Sequence, residues 1–214
     1  MEDEVKRDVD GTRPAGPRRL TAGKLTGQKP ALKIKEVWSI RTRLELEGDV
    51  RNLVHFNLAI DSKLRSCDLV RLKVGDVAAG GHVKSRGVII QKKTGRPMQF
   101  EITENTRRSI TALFESGMPG ADDFIFQSRL EASPHLSTRQ YARIVKGWVA
   151  SIGLNPATYG THLLRRTKAA LNYLKTGNLR AVQLLLGHTK LESTVRYLGV
   201  DVDDALEIST GIDL

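Results

Sequence analysis

Apolar residues recur at helical spacing along the first part of the chain. Val37, Ile40 and Leu44 are three or four residues apart, which places them on one face of a helix. Residues 52–60 continue as a mostly apolar helix, and residues 66–72 predict a further short one. The first part of the chain is therefore predicted to be helical.

A β-hairpin is predicted next. Gly80 and Gly81 break the helical pattern, and residues 88–91 have the composition of a strand. A tight turn at Lys93-Thr-Gly then precedes residues 98–102, where apolar and polar residues alternate as in a half-buried strand. Strands joined by so short a turn pair antiparallel, and the turn carries lysines at its tip.

Helix start and stop signals dominate the second half of the chain. Ser137-x-x-Gln and Thr189-x-x-Glu are capping boxes, and several glycines stand where helices are expected to stop. These signals predict helices that start near Asn105, Ser137, Thr161, Asn178 and Thr189, stops at Gly177, Gly187 and Gly199, and a terminal amphipathic helix from Asp201 to Ile208. The predicted fold class is therefore α+β, mainly α-helical with one small antiparallel sheet.

Charge adds a prediction about the partner. The net charge is +10, and it is unevenly distributed: residues 28–191 hold 27 Lys and Arg against 13 Asp and Glu, whereas residues from 192 onward hold six acids and one base. A strongly basic body favours a polyanion such as nucleic acid, because neutralised phosphates release their counterions. A basic surface that is merely solvated is the alternative.

Other compositional features argue against a membrane-spanning, a secreted or a disulfide-bonded protein. No apolar run approaches the roughly 20 residues that span a bilayer, and the charged start does not resemble a signal peptide. The single cysteine, Cys67, excludes an intrachain disulfide, fits a reducing cytoplasm and is expected to be a buried, inert thiol. Residues 1–27 lack apolar periodicity and are predicted to form a flexible tail.

An ordered set of polar residues in the last third of the chain offers phosphodiester chemistry. His162 and Arg165 are one helical turn apart, His188 follows a predicted helix end, and Tyr197 comes nine residues later. Arginine donates two parallel bonds to phosphate oxygens, and a tyrosine can form a covalent phosphoester. Upstream, Arg65 supplies a further arginine.

Each of these residues alone is more often structural or solvated. Two histidines could also be ligands of a metal ion. No nearby Cys, Asp or Glu completes a ligand set at the usual spacing, and no Walker loop or dinucleotide fingerprint is present. The sequence therefore predicts neither a metal nor an organic cofactor.

As a set, these residues resemble the catalytic domain of the tyrosine recombinase (phage integrase) family, over roughly residues 28–200. That family carries an arginine ahead of a small sheet, a lysine in a β-hairpin, a His-x-x-Arg motif, a Leu-Gly-His motif and a tyrosine about nine residues further on. The matching positions here are Arg65, Lys93, His162, Arg165, His188 and Tyr197.

The resemblance implies a site-specific recombinase that cuts and rejoins double-stranded DNA. Tyr197 is expected to attack the scissile phosphate and form a 3′-phosphotyrosyl link. Arg65, Arg165 and His188 are expected to hold the nonbridging oxygens.

Two proton transfers complete the implied reaction. His162 is expected to assist proton removal from the tyrosine. Lys93 is expected to protonate the leaving 5′-oxygen, with Lys92 as the adjacent alternative.

The resemblance also raises expectations about assembly. Family members commonly carry a helical domain before the catalytic one, and the leader before Pro30 is expected to be too short for it. We expect the corresponding contacts with DNA to come from homo-oligomers, from an accessory DNA-binding protein or from the leader itself. Residues 201–214 are expected to dock on a neighbouring protomer or on their own domain. A cytoplasmic enzyme of bacterial, phage or plasmid origin is expected, and the alternatives are a topoisomerase-like nicking-closing enzyme and a noncatalytic DNA-binding regulator.

Overall fold

A computed structural model describes residues 30–115, 117, 119–128 and 133–198. The predicted tail, the stop at Gly199 and the terminal helix lie outside these residues. The described helices are α1 (Ile34–Leu46), α2 (Val50–Ser62), α3 (Ser66–Leu69), α4 (Val74–Val77), α5 (Glu104–Phe114), α6 (Thr138–Ser151), α7 (Leu163–Thr176), α8 (Leu179–Leu186) and α9 (Leu191–Leu198). The described strands are β1 (Ala78–Ala79), β2 (His82–Val83), β3 (Arg86–Ile90) and β4 (Pro97–Glu101).

Helix α2 is the centre of the core. It starts at Asp49, whose carboxylate accepts a hydrogen bond from the Asn52 backbone N–H, and every residue from Val54 to Ser62 is buried. Helices α1, α5 and α7 pack around it. This helix ends beside the site described below, so the core fixes the position of that site.

The predicted hairpin is confirmed as β3 and β4, which pair antiparallel with Val88 opposite Gln99. Both strands are shifted slightly toward the N-terminus of their predicted ranges. Met98 and Phe100 face the core, and Val88 is half exposed on the other face. The α+β class is thus confirmed.

Gly80 and Gly81 do not simply interrupt the chain. Both have positive φ, +56° and +80°, and they form the turn between β1 and β2, a second small hairpin that the sequence pattern did not predict. The described residues therefore contain two two-stranded sheets instead of one.

Several helix ends follow their sequence signals. The Ser137 hydroxyl accepts from the Gln140 backbone N–H, and the Gln140 side chain accepts from the Ser137 N–H. Asn178 caps α8, and Gly177 and Gly187 end α7 and α8 in the left-handed conformation.

Three predicted helix starts were wrong. The residue before α5 is Thr103 and not Asn105, because both the N–H and the hydroxyl of Thr103 are held by the buried Asp61 carboxylate. The residue before α7 is His162 and not Thr161, and the residue before α9 is Lys190 and not Thr189. A tertiary contact, which local patterns do not encode, decides the start of α5.

A buried histidine on α2, His55, lies in an aromatic cluster. Its ring stacks on Phe126 at 4.0 Å between centroids and lies 4.8 Å from Tyr141 and 5.7 Å from Trp148. Burial, together with the charge of Arg51, lowers the pKa of His55 to about 3.

Because His55 is neutral in the folded protein, stability should fall with acidification. The unfolded chain takes up this proton near pH 6.5, so the contribution of His55 is complete above that pH and is lost toward pH 3, at about 1.4 kcal/mol per pH unit. We expect the free energy of unfolding, measured by urea titration, to be about 2 kcal/mol lower at pH 5 than at pH 7 from this group alone. His55→Phe should flatten that dependence and His82→Phe, at an exposed position, should not; equal slopes in all three proteins would contradict the prediction.

Candidate active site

Four parts of the fold converge on one site: the start of α3, the β3–β4 turn, the start of α7 and the corner between α8 and α9. The residues predicted from sequence occupy these places, with Arg65 directly before α3, Lys93 in the turn, His162 and Arg165 at the start of α7, His188 after α8 and Tyr197 in the last turn of α9.

Arg165 is buried at the centre, with 4% of its surface exposed. Its Nη1 donates to the carbonyl of Lys63, and its Nη2 donates to the carbonyl of Leu186 at 2.7 Å. Those carbonyls close α2 and α8, and the C-terminal ends of helices carry partial negative charge. The guanidinium is therefore held by two helix ends from distant parts of the chain.

Lys63 is a site residue that the sequence reasoning missed. Among the described non-glycine residues it alone has positive φ, 53°, and this left-handed conformation ends α2 just before Arg65. Its ammonium is buried and donates to the Asp61 carbonyl at 2.7 Å. Burial and, next, the charge of Lys168 lower the pKa of Lys63 to about 8. No sequence signature marks a lysine that ends a helix in the left-handed conformation and buries its ammonium.

Tyr197 packs inside the basic cluster. Its ring centroid is 5.9 Å from the guanidinium carbon of Arg165, 5.0 Å from that of Arg166 and 5.5 Å from the ring of His188. The hydroxyl lies 3.5 Å from the His162 carbonyl oxygen. Burial raises the pKa of Tyr197 although both arginines oppose the shift, so the phenol stays protonated at neutral pH and needs a base in order to react.

His162 has the properties of such a base. Burial lowers its pKa, and the positive charges of Arg165, Arg166, Arg65 and Lys93 lower it further. The imidazole is therefore neutral at neutral pH and available to accept a proton.

His188 is held from two helices. Its backbone N–H donates to the Gln183 carbonyl, and its carbonyl accepts from the Gln183 side chain, both at 3.1 Å. Its ring Nδ1 lies 3.1 Å from the Thr194 hydroxyl on α9. Burial, and then Arg165 and Arg65, lower the pKa of His188 to about 4.

The hairpin is tied to α3 by Asp68. One carboxylate oxygen accepts from the Lys92 backbone N–H at 2.8 Å, and this bond anchors the turn that carries Lys93. Lys93 is exposed, and its charge lowers the pKa of His162, which favours Lys93 as the lysine that faces the site. Cys67, next to Asp68, is half buried instead of fully buried as expected.

Arg65 and Lys93 are the least engaged members of the set. Within the described residues neither side chain forms a hydrogen bond or an ion pair, and the Nη1 of Arg65 is buried without a partner. Cations that the protein leaves unpaired at the edge of a basic cluster are suited to an anionic ligand.

Comparison with known proteins decides the family. The model described as the phage integrase family matches residues 31–203. The chain belongs to the phage integrase family.

Two curated relatives illustrate the range of this family. The chain is 27% identical over 175 residues to the probable integrase/recombinase YoeC of Bacillus subtilis, covering 82% of this chain and 91% of the relative. It is 30% identical over 141 residues to the tyrosine recombinase XerD of Brucella suis, covering 64% of this chain and 44% of the relative. The chain thus spans most of the first relative and less than half of the second.

Solved structures of phage integrase family members share the fold. The XerH site-specific recombinase bound to difH substrate in a pre-cleavage complex superimposes with a TM-score of 0.65 at 20% identity, covering 86% of this chain and 55% of that one. A lambda integrase dimer bound to a COC′ core site gives a TM-score of 0.59 at 21% identity, covering 82% and 61%.

The described residues of this integrase-family chain contain no cluster of three or more His, Cys, Asp or Glu side chains positioned for a metal ion. Across those same ranges no helix is both long enough and apolar enough to cross a membrane.

Proposed function

We propose that this protein is a site-specific DNA recombinase that breaks and rejoins DNA through a covalent link to Tyr197. The observation that carries the proposal is the packing of the Tyr197 ring among Arg165, Arg166 and His188, with its hydroxyl next to the backbone carbonyl of His162. A phenol surrounded by fixed cations is suited to attack a phosphate whose negative charge the cations hold.

In the proposed cleavage step, one bond to phosphorus forms, one breaks and two protons move. The Tyr197 hydroxyl oxygen attacks phosphorus and its proton passes to the neutral His162 imidazole. The bond between phosphorus and the 5′-oxygen breaks, and Lys93 gives a proton to that oxygen. The products are a 3′-phosphotyrosyl link and a 5′-hydroxyl, and the reverse sequence with a new 5′-hydroxyl rejoins the strand.

Charge stabilisation comes from Arg65, Arg165 and His188. As phosphorus becomes five-coordinate, negative charge grows on the nonbridging oxygens, where fixed donors stabilise it without reorganising. Arg65, which has no hydrogen bond or ion pair within the described residues, is free to supply one such donor. The two helix ends that hold Arg165 fix its fork before DNA arrives.

The proposed partner is double-stranded DNA, bound in the cytoplasm by more than one copy of the chain. The excess of basic residues in the body supports a phosphate backbone as ligand. The matched lambda integrase structure is a dimer on its site, and two active sites are needed to exchange two strands. An accessory DNA-binding protein is a further proposed partner.

The test is covalent capture on a library of nicked duplexes with randomised sequence around the nick. Cleavage next to a nick releases a short fragment, so the covalent complex cannot reseal and survives denaturation by SDS. We expect a complex whose linked peptide, identified by mass spectrometry, contains Tyr197, and whose DNA reveals the preferred site. Relaxation of supercoiled plasmid without sequence preference would instead indicate a nicking-closing enzyme, and tight binding without any complex would indicate a noncatalytic regulator.

A further inference from the structure

Thr194 contacts the site but has no part in the steps above. It lies on α9, three residues before Tyr197, and its side chain is completely buried. Its hydroxyl lies 3.1 Å from Nδ1 of His188, and within the described residues it has no other hydrogen-bond partner. A buried hydroxyl with a single partner, which is itself a site residue, points to a role in orienting that residue.

Helices α8 and α9 both hold His188 in position. Gln183 on α8 fixes the backbone of His188 through two hydrogen bonds, but neither bond constrains the ring. The only hydrogen bond to the ring within the described residues comes from Thr194 on α9. The rotation of the imidazole is therefore set by the helix that carries Tyr197.

The direction of this hydrogen bond determines what His188 can do. Because burial and the neighbouring arginines keep the pKa of His188 at about 4, the ring is neutral at neutral pH and has one N–H and one bare nitrogen. If the Thr194 hydroxyl accepted a hydrogen bond from Nδ1–H, the bare Nε2 would face the substrate with a lone pair and repel a phosphate oxygen. If Thr194 donates to Nδ1, Nε2 carries the proton and can donate to that oxygen.

We propose that Thr194 is a positioning residue whose hydroxyl donates a hydrogen bond to Nδ1 of His188 and so presents Nε2–H to the scissile phosphate. This inference rests on the proposed function, because only a phosphate ligand requires the donor form of His188. The donor form is expected because Arg165 and Arg65 lie near the His188 ring, and an anionic oxygen is the expected ligand of such a basic site.

The same bond couples two parts of the reaction. Thr194 and Tyr197 are one helical turn apart, so they move together with α9. A displacement of α9 that withdraws the nucleophile also breaks the bond that orients His188. The phosphate donor and the nucleophile are therefore in place together or not at all.

The test uses three variants of the full chain. Thr194→Val replaces the hydroxyl by a methyl group of similar size, Thr194→Ser keeps the hydroxyl, and Ser193→Val introduces the same side chain at the adjacent exposed position. We expect Thr194→Val to slow single-turnover cleavage of the captured site about tenfold to a hundredfold. This is less than the loss expected for removal of an oxyanion donor, because the His188 ring remains and only its orientation is lost. The rate should stay within about twofold of the parent in Thr194→Ser and in Ser193→Val.

A second measurement needs no DNA and so separates this inference from the proposed function. Nitrogen-15 NMR of the protein labelled at histidine, with the His188 signal assigned by its loss in His188→Gln, should show an unprotonated, hydrogen-bonded Nδ1 at neutral pH. In Thr194→Val the Nδ1 signal should move to the position of a nitrogen without a hydrogen bond. A protonated Nδ1 in the parent, or an unchanged Nδ1 signal and cleavage rate in Thr194→Val, would overturn the inference whether or not the protein cleaves DNA.

Discussion

Tyr197→Phe is expected to abolish covalent capture of DNA while leaving the fold intact. The substitution removes one oxygen atom, and without it no bond to phosphorus can form, so the loss should be complete rather than partial. In the folded protein that hydroxyl lies 3.5 Å from the His162 carbonyl oxygen and also forms hydrogen bonds with the Arg165 and Arg166 side chains, so its loss is expected to cost up to about 3 kcal/mol in unfolding free energy. The ring keeps its contacts with Arg166 and His188.

The matched control is Tyr173→Phe. Tyr173 belongs to the same small apolar cluster as Tyr197, on α7, and it loses the same atom. SDS-resistant complexes should form at the parental rate in Tyr173→Phe and should be undetectable in Tyr197→Phe, with both variants folded at the assay temperature and equal in affinity for duplex DNA. Covalent complexes in Tyr197→Phe would show that another residue is the nucleophile.

Periodicity and motif order were sufficient to predict much of the architecture. The antiparallel hairpin followed from alternation on either side of a turn, and the starts of α6 and α8 followed from Ser137 and Asn178, because these signals act within a few residues. The positions of the six site residues along the chain also followed from sequence, since their order and spacing form a motif.

What holds those residues in place did not follow from sequence. Arg165 is fixed by backbone carbonyls of Lys63 and Leu186, and every residue has a carbonyl, so no side-chain pattern marks these two. The left-handed conformation of Lys63 is equally unmarked, because glycine or asparagine is the usual signal for it. The role of Thr194 depends on the distance between α8 and α9, which only the fold sets.

Arg165→Lys is expected to lower the rate of covalent capture by about 10²- to 10³-fold, in the range for removal of one transition-state donor. The charge is conserved, so the effect comes from geometry. The planar fork of arginine reaches the carbonyls of Lys63 and Leu186 together, whereas an ammonium is a single point donor on a flexible stem. A lysine can satisfy one of the two carbonyls, and its ammonium is no longer fixed toward the phosphate.

Stability should change far less than activity. One carbonyl loses its donor in a buried site, which costs about 1–3 kcal/mol in unfolding free energy. Arg143→Lys, at an exposed position on α6, makes the same chemical change away from the site and should alter neither quantity. Rates are to be compared in single-turnover capture and stabilities by urea unfolding. A rate in Arg165→Lys within threefold (about 0.7 kcal/mol) of that in Arg143→Lys would mean that charge alone suffices at this position, and the arrangement of two helix ends around one guanidinium would then serve the fold rather than the reaction.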